Sequence, residues 1–476
     1  MNSFLALAPL LAIVLGALLV LILEAFIHKE NKNYLGYISL LSLVVCAVFC
    51  VRSWNGNYSY FGGVLHLDKL ALLLTFFFLI TVAFVMLTGM KYIALQNANF
   101  GEFYALLLLA LSGMMIMVSS VSFLVIFLGL EVLSVSSYAL AGLKTRDEKS
   151  SESAIKYFLM GSFASAFLVF GLALLYGASH EIAIPEIAGY FSSGAEGQVV
   201  ALVGLGLVII GFAFKIALVP FHMWTPDVYE GAPTPVTAFF SVGPKSVGFA
   251  VLLRLFASYW KDGSQSDIVH GLLWAIAVLT MLLGNLIALR QKNVKRMLAY
   301  SSIAHAGYIL VAILARDGAG LVFYLAAYLF MNLGAFSALM ALSKKDKEYL
   351  ELNDFSGIGF QYPWIGATFA VFLFSLAGFP PTAGFLAKFY VFSAAVRQGL
   401  VPLVIIGVLA SLISVYYYLR VIVYMYMRKP EAEIDIVMEN PSLFLVVFLC
   451  LYGVLQLGIF PGNVLVVIRQ AVSSLF

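Results

Sequence analysis

Runs of roughly twenty apolar residues recur from one end of the chain to the other, each long enough to cross a hydrocarbon layer of about 30 Å at 1.5 Å per helical residue. That repetition fixes the solvent. In hydrocarbon every backbone polar group must be paired within the protein, so spanning segments of this length are helices. The expected spans are Phe4 to Ile27, Tyr34 to Val51, Leu70 to Met90, Phe103 to Val118, Phe123 to Leu143, Ala154 to Ala178 and Val199 to Val219. They continue with Val236 to Tyr259, Ile268 to Leu289, Met297 to Leu314, Leu321 to Leu342, Pro363 to Ala395, Val401 to Tyr426 and Ser442 to Ile468. This is an all-α integral membrane protein of about fourteen transmembrane helices. Charged residues make up 11% of the 476, against about 25% in a soluble domain, so no soluble domain is expected between the spans. The first segment lacks a basic leader and a small-residue cleavage site and is read as a retained span.

One set of alternate loops holds Lys29, Lys32, Lys91, Lys144, Arg146, Lys149, Arg290, Lys292, Lys295, Arg296, Lys344, Lys345, Lys347, Arg428 and Lys429, while the other holds only Arg52, Lys69, Lys261, Arg316, Arg397 and Arg469. The positive-inside rule therefore places the first set in the cytoplasm and both termini on the far side. A net charge of +3 spread over loops gives no nucleic-acid surface; the partner indicated is the lipid bilayer. Cys46 and Cys50 lie one turn apart in the second span and Cys450 in the last. An iron-sulfur cluster takes four thiolates, so no redox centre and no metal site are expected in this chain.

Removing the loop charges leaves the costly ones. Lys156, Lys215, Lys245, Arg254, Lys388 and Arg420 lie inside spans or at their breaks, and Glu131 is the clearest buried acid. A charge at the bilayer centre costs at least about 2.5–3.5 kcal/mol, so such groups face a bundle interior or a wet cavity. Glu131 has no counter-charge nearby in sequence, and a lysine from another helix is the natural partner. A carboxylate and a lysine of variable separation form a proton switch, because the cation favours the charged carboxylate and its withdrawal favours the protonated one. A static ion pair joining two helices is the other reading.

The seventh span places Lys215 before Pro220 and His222 after it. Proline breaks the helix, and broken helices at membrane depth mark transport sites. His222 there is read as a proton relay in preference to a packing residue. The twelfth span repeats the design, with Gly378-Phe-Pro-Pro-Thr-Ala-Gly384 followed by Lys388. Two breaks five spans apart suggest inverted repeats, spans four to eight and nine to thirteen. The corresponding divisions are 1–98, 99–260, 261–429 and 430–476. In the eighth span Pro244 is placed to open the backbone beside Lys245, and in the tenth His305 sits in a polar stripe. Lys156 is either a relay residue or a snorkelling one; for Arg254 and Arg420, nearer their helix ends, headgroup contact is expected. A line of lysines and histidines with one glutamate suits protons better than larger ions.

The residues from Phe214-Lys-Ile-Ala-Leu-Val-Pro-Phe-His-Met-Trp-Thr-Pro-Asp-Val-Tyr-Glu-Gly231 onward closely resemble the antiporter-like membrane subunits of respiratory complex I. The resemblance extends through Asn293-Val-Lys-Arg-Met-Leu-Ala-Tyr-Ser-Ser-Ile-Ala-His-Ala-Gly-Tyr308 and the segment Phe374 to Tyr390, and so covers most of the chain from the fourth span. Within that family it is most similar to the N type, the counterpart of mitochondrial NADH dehydrogenase subunit 2. Tyr416-Tyr-Tyr-Leu-Arg-Val421 and lysine, where the M type has glutamate, at position 388 point that way, and no long lateral helix of the L type follows the last span.

The resemblance implies that Glu131 and Lys215 form a switching pair, that Lys245 and the nearby histidines relay a proton, and that Lys388 passes it on. It implies a proton-translocating, non-redox subunit of an NADH:quinone oxidoreductase in the bacterial inner membrane, with termini in the periplasm. M-type and small K- and J-type subunits are its implied neighbours. Flavin mononucleotide, iron-sulfur clusters and quinone would be held by other subunits. A subunit of a multi-subunit sodium/proton antiporter or membrane-bound hydrogenase is the alternative.

Overall fold

A computed structural model describes residues 2–28, 32–96, 101–193, 197–261, 267–344, 348–430, 440–473 and 475. Helices α1 (Asn2–Glu24), α2 (Asn33–Ser53), α3 (Lys69–Leu95), α4 (Glu102–Ser119), α5 (Phe123–Ala141) and α6 (Glu148–Ser179) are followed by the short α7 (Ile184–Ser192), α8 (Gln198–Lys215) and the short α9 (Trp224–Gly231). Next come α10 (Thr234–Lys261), α11 (Asp267–Ala288), α12 (Val294–Leu314), α13 (Gly318–Ala341) and the single-turn α14 (Ile358–Gln361). Helices α15 (Pro363–Ala377) and α16 (Ala383–Arg397) lead into α17 (Val401–Met427), α18 (Pro441–Ile459) and α19 (Gly462–Val472). Among the described residues 13 helices are long and apolar enough to cross a membrane, and α15 with α16 supplies one further, interrupted crossing. The chain is therefore an all-α multi-pass membrane protein with the expected number of spans.

A helix that is apolar all round is buried among other helices, whereas one with a lipid face leaves that face outward. The apolar stretch of α10 is wholly buried, and α12 and α13 nearly so. By contrast α1, α2 and α17 expose Leu15, Ile22, Tyr37, Leu41, Leu412 and Tyr416, in keeping with a lipid-facing rim. The innermost helices are those that carry Lys245 and His305.

Two backbone-to-backbone contacts set the packing around Glu131. A Cβ on Gly113 of α4 would lie 2.5 Å from the Gly129 carbonyl oxygen of α5, and one on Gly171 of α6 would lie 2.7 Å from that of Gly204 in α8. Only small residues let membrane helices approach so closely. The chain thus pairs α4 with α5 and α6 with α8.

Several boundaries and side chains differ from expectation. The fourteenth span ends at Ile459 instead of running to Ile468, because the residue before Pro461 is disfavoured in the α region; α19 is a separate short helix. Pro244 sits inside a continuous α10 and does not open it. A small antiparallel hairpin, β1 (Tyr58–Tyr60) with β2 (Leu65–Leu67), lies between α2 and α3. The division expected between residues 98 and 99 lies outside the described residues.

Neither Arg254 nor Arg420 reaches for headgroups. Arg254 is buried and makes two parallel 2.8 Å hydrogen bonds to the Asp68 carboxylate, with Nε donating to the Val118 carbonyl at 2.9 Å. The planar guanidinium matches a carboxylate in that bidentate way. Arg420 donates to the Leu289 and Gln291 carbonyls, filling acceptors left free at the end of α11. Asp68 also caps α3 by accepting from the Ala71 amide at 2.7 Å. Arg254→Leu is expected to destabilise the protein by about 3–5 kcal/mol by leaving Asp68 unpaired. The double variant Arg254→Leu/Asp68→Asn should recover much of that loss, and thermal unfolding of the purified complex measures both.

Candidate functional site

Each broken span frees backbone groups that something must satisfy, and the side chains that do so build the site. At the first break α8 ends at Lys215 and Ala217 turns the chain at φ 60°. Trp224 at the start of α9 donates its indole N–H at 2.9 Å to the Phe214 carbonyl, which also accepts from the Ala217 amide at 3.1 Å, and the Val219 amide donates to the Thr280 hydroxyl of α11 at 3.0 Å. At the second break Gly378 takes φ 92° to end α15, a conformation only glycine adopts cheaply. The carbonyls left at that end, Leu376 and Ala377, accept from Lys388 Nζ at 3.2 and 3.0 Å. The helix end carries partial negative charge, so break and lysine stabilise one another.

Neutral oxygens hold the other two lysines as well. Lys215 Nζ donates to the Ser134 hydroxyl of α5 at 2.9 Å, and Lys245 Nζ donates to the Ser302 carbonyl and hydroxyl of α12 at 2.5 and 2.6 Å. Lys388 also donates to Ser411 of α17 at 2.8 Å. Each ammonium lies over a tyrosine ring: Lys215 over Tyr157 at 5.6 Å, Lys245 over Tyr328 at 5.9 Å and Lys388 over Tyr308 at 5.0 Å. Ring faces attract cations, more so when both are desolvated. An amine held this way can gain or lose a proton without breaking an ion pair.

His305 lies between two of these lysines. Its Nδ1 is 2.8 Å from the Tyr324 hydroxyl and its Nε2 3.4 Å from that of Tyr418, which is itself hydrogen-bonded to Ser301. Its ring also packs on Tyr328 and Tyr308, the tyrosines beneath Lys245 and Lys388. Asn285 ties the network together, donating to the Tyr308 hydroxyl and accepting from that of Tyr417, both at 2.9 Å. Lys245, His305 and Lys388 thus share one polar interior.

Glu131 and Lys215 lie near each other without touching. Glu131 accepts from the Ser165 hydroxyl of α6 at 2.6 Å, while Lys215 is held by Ser134. Ser134, Ser165 and Lys215 line one small cavity between α5, α6 and α8. Lys156 is not brought to this line. It pairs with Glu152 at 2.6 Å and Asp227 at 2.7 Å in a partly exposed cluster with Arg296, Glu230 and Lys149. His222 is buried, its Nδ1 has no hydrogen-bond partner, and no hydrogen bond joins it to the three lysines among the described residues.

The tyrosines, Ser302 and Asn285 were not singled out from sequence. Tyr324 and Tyr328, one turn apart on α13, and Tyr308, one turn after His305, carried a signal in their spacing. Lys295, counted among the loop cations, is 1% exposed. Cys46 and Cys50 on α2 and Cys450 on α18 are free and buried, a donor set that does not fit an iron-sulfur cluster.

Residues 120–414 match a family described as NADH:quinone oxidoreductase/Mrp antiporter, transmembrane. The chain is 44% identical over 468 residues to NADH-quinone oxidoreductase subunit N of Trichlorobacter lovleyi, spanning 97% of this chain and 95% of that one. A chain of respiratory complex I from Thermus thermophilus, solved with bound aureothin, superposes with a TM-score of 0.84 at 32% identity, covering 97% of this chain and 100% of that one. A chain of the membrane-bound sulfane sulfur reductase, an archaeal respiratory membrane complex, gives a TM-score of 0.86 at 26% identity over 99% and 97%.

Trp224 stacks on Tyr157 at 4.4 Å, so Trp224→Phe keeps an aromatic ring there and removes only the bond to Phe214. The Phe214 carbonyl still accepts from the Ala217 amide at 3.1 Å, so loss of the indole bond is expected to cost about 0.5–1.5 kcal/mol, read as a lower thermal midpoint.

Proposed function

This chain belongs to the NADH-quinone oxidoreductase subunit N family, and on that premise we propose that it carries protons across the membrane through Glu131, Lys215, Lys245, His305 and Lys388. The observation that carries the proposal is the shared interior of Lys245, His305 and Lys388, in which His305 packs on the tyrosines that underlie both lysines. A histidine between two lysines can take a proton on one ring nitrogen and release one from the other.

Glu131 and Lys215 act as the switch. In the arrangement described each is held by a serine on the same cavity. When the carboxylate and ammonium approach, both charges are favoured; when they separate, the lysine proton is free to leave toward Lys245. Redox energy released in other subunits would set that separation, with flavin mononucleotide, iron-sulfur clusters and quinone held there. His222, beside the first break, remains a relay candidate on its position, and Lys156 an acceptor at the membrane surface.

The two interrupted spans support an organisation into inverted repeats, residues 99–260 and 261–429, between an N-terminal unit of three spans and a C-terminal one. The likeness to bacterial N subunits supports a bacterial inner-membrane location, and the loop lysines and arginines support both termini in the periplasm. M-type and small K- and J-type membrane-arm subunits are the proposed neighbours. The likeness to the archaeal sulfane sulfur reductase, and the Mrp antiporters within the matched family, favour a second reading as a subunit of a related cation-coupled assembly. Full-length identity to N subunits supports the first reading more strongly.

Lys215→Met in the assembled enzyme should lower protons pumped per electron and slow coupled quinone reduction, measured in vesicles with a pH-sensitive dye and NADH oxidation. Pumping equal to that of the unaltered enzyme would refute the role. Purification from the native membrane with flavin-containing subunits and inhibitor-sensitive NADH:quinone reductase activity separates this reading from the antiporter one.

A further inference from the structure

A second group of buried charges lies at one end of α10, away from Glu131 and the line of lysines. Glu348, in the segment after α13, sits 3.4 Å from Lys144 Nζ and 3.6 Å from Lys295 Nζ. Lys295 is 1% exposed and its shorter bond, 2.6 Å, goes to the Ala232 carbonyl just before α10. The Thr237 hydroxyl of α10 donates to that same carbonyl at 3.4 Å. On the other side Lys144 lies over Tyr92 at 5.8 Å, and the Tyr92 hydroxyl donates to that of Thr234 at 3.4 Å. Lys295 thus touches the start of α10 directly, and Lys144 reaches it through Tyr92.

From there a hydroxyl stripe runs inward. Thr237, Ser241 and Lys245 follow at four-residue intervals, Thr234 precedes them by three, and all four are buried. Residues three and four apart share a helix face, so these four form one ridge, with Thr237 and Lys245 about 12 Å apart along the axis. Helix α12 runs beside it with the same polarity of placement. Lys295 bonds to Ala232 at the membrane end and Ser302, seven residues on, bonds to Lys245 at depth. The two polar faces thus meet at both ends of the stretch.

We infer that Glu348, positioned by Lys144 and Lys295, takes up protons from the membrane face carrying these loops and delivers them along the hydroxyl ridge of α10 to Lys245. This rests on the reading of the chain as a proton carrier. The net step moves one proton: the Glu348 O–H bond breaks, leaving a carboxylate, and an N–H bond forms on the Lys245 amine, giving an ammonium. Each hydroxyl between accepts a proton and releases its own. At rest Thr237 and Ser241 donate to backbone carbonyls, so each offers a lone pair to the arriving proton. Hydroxyls one helical turn apart, about 5–6 Å, need a water between them.

Burial pushes the Glu348 carboxyl up to about 8, so it is loaded with a proton below that pH and empties above it. The charges facing it are Lys144 from the segment between α5 and α6 and Lys295 from α12, with Glu230 of α9, Asp147 and Lys149 acting on Lys295 from farther off. The loaded fraction falls about tenfold for each pH unit above that value.

The test uses the assembled enzyme in vesicles. In the unaltered enzyme, raising the pH on the uptake side from about 7 to about 9 should lower the pumping rate several-fold; a flat rate would overturn the inference without any variant. Glu348→Gln, which keeps size and hydrogen bonding, should lower protons per electron at least several-fold and leave a residual rate with no change near pH 8, while Glu348→Asp restores pumping in part. Thr237→Val/Ser241→Ala, which keeps Glu348, Lys144 and Lys295 and the Lys295 bond to the Ala232 carbonyl, should also slow pumping if the ridge conducts, and guards against a Glu348 variant that fails to assemble. Normal pumping in either overturns the inference. Lys215→Met in the same preparation separates the two failures: normal pumping there sinks the carrier reading itself, whereas impaired pumping there with normal pumping in Glu348→Gln sinks only the uptake role.

Discussion

A lysine deep in a bilayer must be surrounded by oxygens, and Lys245 finds them on the backbone and hydroxyl of Ser302 in the neighbouring α12. Much of the architecture follows from that need. Helices α10 and α12 must be the innermost and must lie side by side, which leaves the remaining helices to screen them from lipid. The same need recurs at the breaks, where α15 stops so that its last carbonyls can receive Lys388. An interrupted helix would be a defect in hydrocarbon, and an isolated lysine would be another; placed together they satisfy one another.

Tyrosine is the second material of the interior. It offers a ring face to a cation and a hydroxyl to a hydrogen-bond chain, so one residue type both holds a lysine and joins it to His305. Tyr308 and Tyr328 do both through their rings and hydroxyls, with Asn285 and Asn332 fixing the hydroxyls. Such a network adds no net charge to the buried helices α12 and α13.

The sequence made the spans, the two breaks and the lysines legible because each departs sharply from an apolar background. Lys215, Lys245 and Lys388 could be picked out by subtraction, and the structure buries all three. The partners were hidden for the opposite reason. Serine and tyrosine are common in membrane helices, and nothing local distinguishes Ser302 or Tyr328 from a packing residue until α10, α12 and α13 are brought together. Lys295 was misplaced because a lysine near a span end in sequence normally reaches water, whereas here the segment bearing Glu348 folds over it. Arg254 was misjudged likewise, its acceptor Asp68 being 186 residues away. Glu131 was expected to pair with a lysine at variable separation, and in this arrangement Ser165 holds the acid and Ser134 the amine, neither of which the sequence singles out.

The glycine contacts bear on how Glu131 and Lys215 can change their distance. Gly129, two residues before Glu131, is locked backbone to backbone against Gly113, so α5 moves only with α4. Gly171 and Gly204 lock α6 to α8 in the same fashion, so the helix that ends at Lys215 moves only with the one bearing Ser165. The acid and the base therefore sit on two different closely packed helix pairs. The seam between them holds Ser134, Ser165 and a small cavity, with polar contacts that can be exchanged at little cost. Across the same seam Tyr138 of α5 packs edge-on against Tyr157 and Phe158 of α6 and over Gly161, so a change in the distance between acid and base has to carry that aromatic contact with it.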